Sequence, residues 1–486
     1  MLGDRRWLCG FHSPFLYSST YQLSLTLCCF PVKIFTNLSA TFRKMINKII
    51  TDKIIDVFTS NFQTVETLTT GIEVENIIYD KSMERIPVNR CEKFSSEEIK
   101  SALIDLNKVT GIAPNISIEP GGQMEYASQP FRDLHEINRE WKAYFRNLVQ
   151  ICGENELFPL DLTVEPIYQP DEIGLIDLKK YQLMHDRFNQ TGSLGHWMMK
   201  NSSSVQINLD YTSLEEAEKI AFAADCIQPF LSVIFANAPF ETGVPTKLKN
   251  LRTIIWNNTD NTRCGSLFDH QMKGPENMAE RYAEYIAKTP VIFALDKLGH
   301  PLFYDGLTSE LFTELLDNDQ LNNEHIMSIL RQIFTHVRFK NVVEIRTCDH
   351  PPFGYELAPA AFLNGLLRDN IIFEKLLELV SGWSFHDRMD AMEKSLELDL
   401  DKKIFDSKTF CYWCEKLLEM SLEGLENRRR QLNIKSEKKY LETFADAFIS
   451  KGPFSLQIQK SYNDSGKTLK EFLLSRWMKQ KEELFS

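Results

Sequence analysis

The sequence predicts an α+β fold, and three observations carry that expectation. Between residues 70 and 350, short segments alternate polar and apolar side chains with the two-residue period of a strand. Stretches with apolar residues three and four apart separate those segments, and beyond residue 356 the pattern is helical almost to the end, with Leu-rich faces. Strands gathered in the first two thirds, with helices following, is an α+β arrangement rather than a βαβ alternation. Neither an internal repeat nor a low-complexity linker interrupts it.

Taken in order, Met45-Ile-Asn-Lys opens a helical pattern carrying Ile49, Ile50, Ile54, Ile55 and Phe58. Gly71 to Glu75 alternates as a strand with one wet face. Asn115–Glu119 and Gln123–Ala127 flank Pro120-Gly121-Gly122, a tight-turn signal. Leu134, Ile137, Trp141, Phe145 and Leu148 make one helix face, which Gly153 is expected to end. Ser204–Asp210 alternates again, 213–234 reads as a helix, and Pro239 breaks the chain. Thr289–Leu295 is a strand candidate, preceded by a helix that Pro275 and Glu276 could open. A helix at 323–337 is expected to lead into a strand over Asn341–Thr347.

Composition narrows the function. The 486 residues carry 55 Lys+Arg against 67 Asp+Glu, a net charge of −12, which argues against non-specific nucleic-acid binding. With 43% apolar residues, 25% charged and a mean hydropathy of −0.27, the chain reads as an ordinary globular protein with no membrane partner. Ten scattered cysteines do not make a disulfide framework, so a reducing compartment is expected. Residues 1–45 differ from the rest: Asp4 is their one acid, and no run of roughly 18 apolar residues exists. They are expected to lie outside the fold, as an organellar leader or as sequence upstream of a true start at Met45. Cytoplasmic localisation is the expectation, with import directed by 1–45 as the alternative. A catalytic domain over 46–370 and a helical part over 371–486 packed on it complete the expected layout.

Several motifs fail. Gly466-Lys467-Thr468 has Ser461 where a phosphate-binding loop needs its first Gly. Gly192-Ser193-Leu194-Gly195 has Thr191 where a nucleophile elbow needs Gly. Cys411 and Cys414 lack two further zinc ligands at a suitable spacing and read as two thiols on a helix.

The carboxylates are more informative. Glu73 and Glu75 project from one face of their strand, opposite Ile72 and Val74. Glu119 and Glu125 flank the turn, with Gln123 beside Glu125. Gln206 and Asn208 share a face, and so do Glu344 and Arg346. A sheet with one solvated side gives the same alternation. A solvated face normally mixes in Lys, Thr and Ser, whereas crowded carboxylates repel unless cations neutralise them. Hard divalent ions bridging phosphates are the natural partner for such an oxygen set. Both readings stand on the face pattern alone.

The motifs then resemble a family. Thr70-Gly-Ile-Glu-Val-Glu75, Ile118-Glu-Pro-Gly-Gly-Gln-Met-Glu125, Gly192–Gly195, Val205-Gln-Ile-Asn-Leu-Asp210, Phe235-Ala-Asn-Ala-Pro-Phe240 and Glu344-Ile-Arg346 occur in order. Ile255-Trp256, Thr259-Asp260, Arg263 and Leu357-Ala-Pro-Ala360 continue the series. Together, from about Ile54 to Trp477, the chain resembles the glutamate–cysteine ligases shared by plants and many bacteria, within the carboxylate–amine ligases.

The resemblance implies a glutamine-synthetase-like fold, whose curved antiparallel sheet forms a funnel with helices on its outer face. It implies Mg²⁺ and ATP as cofactor and substrate, with L-glutamate and L-cysteine joined through a γ-glutamyl phosphate in the first step of glutathione biosynthesis. Carried over position by position, Glu73, Glu75, Glu119, Glu125, Gln206 and Glu344 become Mg²⁺ ligands or their supports. Asn208 and Arg346 would face the ATP phosphates, and Arg346 and Arg263 are the catalytic candidates, Arg263 for the substrate carboxylate. The chain also departs from the pattern. His185 stands where relatives often carry Arg, with Arg187 two residues on, and Gln190 and Thr191 replace a common Lys-Val. Two rival readings follow: a ligase of the same superfamily with another amine, and a non-catalytic relative.

Overall fold

The longest strand, β1 (Thr70–Asp80), is the axis of the structure, because its two halves pair with different neighbours. The computed structural model describes residues 40–485. The expectation for residues 1–45 therefore lies almost wholly outside the described residues. Helix α1 (Ala40–Thr59) is described from Ala40, and the chain from Ile46 onward is one compact unit.

Six further strands complete the main sheet: β2 (Asn115–Ile118), β3 (Met124–Ala127), β4 (Leu157–Leu160), β5 (Val205–Leu209), β6 (Val337–Phe339) and β7 (Val343–Ile345). Their order is β6-β7-β5-β1-β3-β2, all antiparallel. The first half of β1 lies between β5 and β3, with Glu73 opposite both Gln206 and Ala127. Its second half pairs with β4, from Ile77 opposite Leu160 to Asp80 opposite Leu157. Alternation in β1 stops after Glu75 because Asn76 to Tyr79 are fully buried on both faces.

Register decides which side chains share a face. Ile72, Val74, Ile207, Leu209, Val343 and Ile345 lie together on one face, each 0–1% exposed. Helices α2 (Leu214–Cys226) and α3 (Ala358–Leu367) pack on that side of the sheet. The opposite face is left to the polar residues. Behind α3 runs the long α4 (Phe410–Leu432), so close that a Cβ on Gly424 would come within 1.8 Å of the Gly365 carbonyl oxygen. Only glycine permits that helix crossing. The carboxy-terminal helix α5 (Leu469–Phe485) is tied back by Arg476 and Gln480, 2.5 and 2.6 Å from the buried Asp161 carboxylate.

Some expected elements differ. The helix expected over 323–337 ends at Leu330, and Val337–Phe339 is a strand. Buried Ile326, Ile329, Ile333, Val337 and Phe339 fit a helix face about as well as a helix followed by a strand, so periodicity could not separate the two. The stretch 213–234 is two helices broken at Ile227, because Pro229 lies in the first turn of the second. Of Thr289–Leu295, Ala294–Leu295 pairs with Pro301–Leu302 and Pro290 makes a single bridge to Leu307, and the preceding helix starts at Met278 rather than Pro275. Strand β4 escaped the sequence reading because all four of its residues are buried and do not alternate.

Candidate active site

The polar face of the sheet opens on a cavity of about 690 Å³. Glu73 and Glu75 reach it from β1, Glu125 from β3 and Gln206 from β5. Glu119 arrives from the β2–β3 turn, in which the Gly122 N–H donates to the Glu119 carbonyl (2.8 Å) and the Glu119 N–H to the Gln123 carbonyl (2.9 Å). Gly122 sits at φ +84°, a left-handed position that favours glycine. Lys180, Arg252, Arg331, Arg338 and Arg346 line the same cavity, as do Trp256 and Phe334.

Side-chain amides organise the carboxylates. Gln206 Nε2 donates to Glu75 (3.0 Å) and Asn208 Nδ2 to Glu73 (2.9 Å), while the Ser117 hydroxyl donates to Glu125. The Gln206 oxygen in turn accepts from Arg346 Nη1 at 2.5 Å. Burial, and after it the neighbouring carboxylates, push Glu75 and Glu125 up to about 8 and Glu119 to about 7. Burial and mutual repulsion favour the protonated form of all three acids unless cations join them. This is the chemistry of a hard-cation site: oxygen donors only, gathered on one rigid sheet face, with excess negative charge. Among the described residues, no group of three or more His, Cys, Asp or Glu side chains already closes on a single point. Bringing the carboxylates onto an ion therefore needs side-chain adjustment.

Glu344 has a different place. It is fully buried, and Arg338 (2.6 Å), Lys340 (2.5 Å) and Arg346 (2.6 Å) surround its carboxylate. Burial alone would raise its pKa, but the three cations, Arg338 foremost, hold it well below the usual carboxylate range. Of the two expected roles, ligand or support, the cations around Glu344 favour support, since its charge is already more than matched. Asn208 shares the polar face but is not on the cavity wall, and its amide N–H is spent on Glu73.

Arg263 is the larger correction. It is fully buried away from the cavity, with Nε on Asp260 (2.8 Å), Nη1 on the Gln332 carbonyl (3.1 Å) and Nη2 on the Pro290 carbonyl (2.6 Å). All three guanidinium nitrogens already meet protein acceptors, and the side chain is not on the cavity wall. Arg187 joins the same Asp260 at 3.3 Å, and His185 stacks on His196 with ring centroids 4.0 Å apart. Arg338 was missed because its segment read as helix, and Lys180, Arg252 and Arg331 because lone cations carry no sequence signal. Cys411 and Cys414 are free thiols on α4, and the seven cysteines among the described residues are all free.

Comparison with known proteins gives the same picture. The family described as Glutamate-cysteine ligase family 2 matches residues 69–443. Glutamate–cysteine ligase A, chloroplastic, of Oryza sativa subsp. indica is 29% identical over 373 residues, covering 74% of this chain and 73% of its own. The chloroplastic glutamate–cysteine ligase of Brassica juncea is 27% identical over 371 residues, covering 74% of this chain and 70% of its own. Among solved structures, the Francisella tularensis glutamate–cysteine ligase in complex with AMP shares the fold. Its TM-score is 0.54 at 13% identity, over 88% of this chain and 90% of that one.

Proposed function

We infer the function of this site from one premise: the chain belongs to glutamate-cysteine ligase family 2. It is a glutamate–cysteine ligase, an enzyme that joins L-glutamate to L-cysteine in the first step of glutathione biosynthesis. The observation that supports assigning this chemistry to the cavity is the set of Glu73, Glu75, Glu119 and Glu125, facing one space together with five cationic side chains.

In the reaction, a γ-carboxylate oxygen of glutamate attacks the terminal phosphorus of ATP and ADP leaves, giving γ-glutamyl phosphate. The cysteine amine then attacks the acyl carbon, phosphate leaves with the C–O bonding pair, and the ammonium proton passes to solvent. Little covalent work falls to the protein; positioning and charge neutralisation carry the rate. Glu73, Glu75, Glu119, Glu125 and Gln206 would hold Mg²⁺, which when bound neutralises phosphate charge and polarises the transferring group.

Arg346 is the residue best placed to meet the phosphoryl oxygens. Glu344 and Gln206 fix its Nη1, and its guanidinium lies 5.6 Å from the Trp256 ring centroid and 5.9 Å from that of Phe334. An arginine so constrained loses little entropy on engaging a planar array of oxygens. Asn208 acts by orienting Glu73. Lys180 and Arg331 are better placed than Arg263 for the glutamate α-carboxylate, because they are cations on the cavity wall with no ion pair among the described residues.

For the compartment, the cytoplasm remains the proposal, supported by the free thiols; the plant relatives are named chloroplastic, which makes an organelle the competing placement. Phosphate release measured with ATP, L-glutamate and a panel of amines tests the reading. Release that depends on L-cysteine, with γ-glutamylcysteine as product, is expected. Release with a different amine would move the chain to another acceptor, and none with any amine would overturn catalysis.

A further inference from the structure

Behind Trp256, on the side away from the carboxylates, lies a second cavity of about 660 Å³ to which the ligase reading assigns nothing. A narrow neck of about 10 Å³, bordered by Arg252, Trp256, His336, Arg346 and Thr347, lies between the two spaces and shares wall residues with each. Four buried polar atoms around this neck have no hydrogen-bond partner: Arg252 Nε, Trp256 Nε1, His336 Nε2 and Thr347 Oγ1. Arg252 is 5% exposed, Trp256 9%, His336 7% and Thr347 4%, so bulk water does not satisfy them. Unpaired buried donors are costly, and a cluster of them calls for an acceptor. Two of the four, the Arg252 and Trp256 N–H groups, can only donate. An oxyanion beside them is matched in both charge and hydrogen bonding.

The outer part of the same cavity has the opposite character. Asp269, Asp390 and Glu393 line it, and no Lys or Arg does. Asp390 is paired with Lys394, but Asp269 and Glu393 meet no cation among the described residues. The roof is the helix Phe385–Ser395, which contributes the apolar side chains of Met389 and Met392. That helix is held in place by Arg388, buried and 2.6 Å from Asp225. A cavity with donors at its floor, carboxylates at its mouth and thioethers along its roof presents three chemistries in one space.

We propose that this second cavity binds a free α-amino acid with an apolar side chain. Its carboxylate lies at the inner end of the cavity, against the unpaired ring nitrogens of Trp256 and His336 and with Arg252 behind the neck, its ammonium between Asp269 and Glu393, and its side chain against Met389 and Met392. Trp256 lines both this site and the catalytic cavity, and Arg346 borders the neck between them, so occupancy here bears on the wall that positions Arg346.

Equilibrium titration of the full chain with L-methionine and L-leucine tests the proposal, run alongside isocaproic acid and isopentylamine, which each keep one of the two charged groups. One equivalent of amino acid is expected to bind, with each half-molecule weaker by about tenfold or more. Glu393→Arg, at an exposed position, is expected to weaken amino-acid binding by a similar factor while leaving the thermal midpoint of unfolding in place. Saturating ATP, Mg²⁺ and L-glutamate should not displace the ligand. Absence of binding up to about 10 mM would overturn the site and leave the neck to an ordered water. So would full displacement by L-glutamate, or equal affinity for either half-molecule. None of these readouts depends on the ligase activity.

Discussion

Glu344 and Arg346, two residues apart on one strand, form an ion pair of 2.6 Å in which the acid is sealed and the base faces the catalytic cavity. Alternation puts both on the same sheet face; Arg338 spans both carboxylate oxygens, sharing Oε1 with Arg346 and Oε2 with Lys340. Arg346 therefore owes its orientation to a buried neighbour.

That relationship predicts that Arg346→Lys is far from conservative. Lysine keeps the charge but loses the planar fork that reaches Glu344, Gln206 and a phosphoryl oxygen together. Turnover should fall about 10–1,000-fold, equivalent to about 1.4–4 kcal/mol of transition-state stabilisation. Steady-state kinetics on the purified variant check this, and near-normal turnover would remove Arg346 from the reaction.

Glu344→Gln should act mainly on the fold. Three largely buried cations lose the sealed carboxylate they share, and stranding such charges costs roughly 3–5 kcal/mol. Denaturant unfolding should show a clear loss of stability even without divalent ions. A variant as stable as the parent would contradict the anchoring role of Glu344.

Arg263→Met separates a brace from a substrate grip. With Asp260 left beside Arg187 alone, stability should fall by roughly 3–5 kcal/mol. The KM for L-glutamate, measured on the folded fraction, should stay within about twofold. A KM raised tenfold or more with stability intact would restore the carboxylate role.

Stability should depend on pH and on divalent cation together. Glu75, Glu119 and Glu125 have folded-state pKa values raised to about 8, 7 and 8, so the native state binds more protons than the unfolded chain between pH 4.5 and 8. Their contribution is full below the unfolded value and is lost as pH rises through the folded one. In chelator, the melting temperature should fall from pH 6 to pH 8.5, and added Mg²⁺ should raise it more at the higher pH. Calorimetry that shows the same Mg²⁺ increment at both values would contradict the carboxylate assignment.

Much of this site is legible in the sequence, because a strand's two-residue period commits every second side chain to one face. Glu73, Glu75, Glu125 and Gln206 converge for that reason, and Ile72, Val74, Ile207 and Val343 oppose them. What stayed hidden follows physical lines as well. Arg338 lies in a buried apolar stretch whose spacing suits helix and strand alike, and β4 is buried on both faces and shows no period. Arg263 looked available because sequence shows neither the three acceptors that occupy it nor its burial. The pairing of Glu344 with Arg338 depends on strand register across a turn, which spacing alone does not determine.

The central claim is that the carboxylate face of the sheet is where divalent metal and nucleotide meet. Anomalous diffraction from crystals of the full chain grown with Mn²⁺ and a non-hydrolysable ATP analogue tests it most directly. Manganese peaks are expected in the cavity, about 2.1 Å from carboxylate oxygens of Glu73, Glu75, Glu119 and Glu125, with Arg346 on the phosphates. Nucleotide and metal bound elsewhere, with those four carboxylates unligated, would contradict the account.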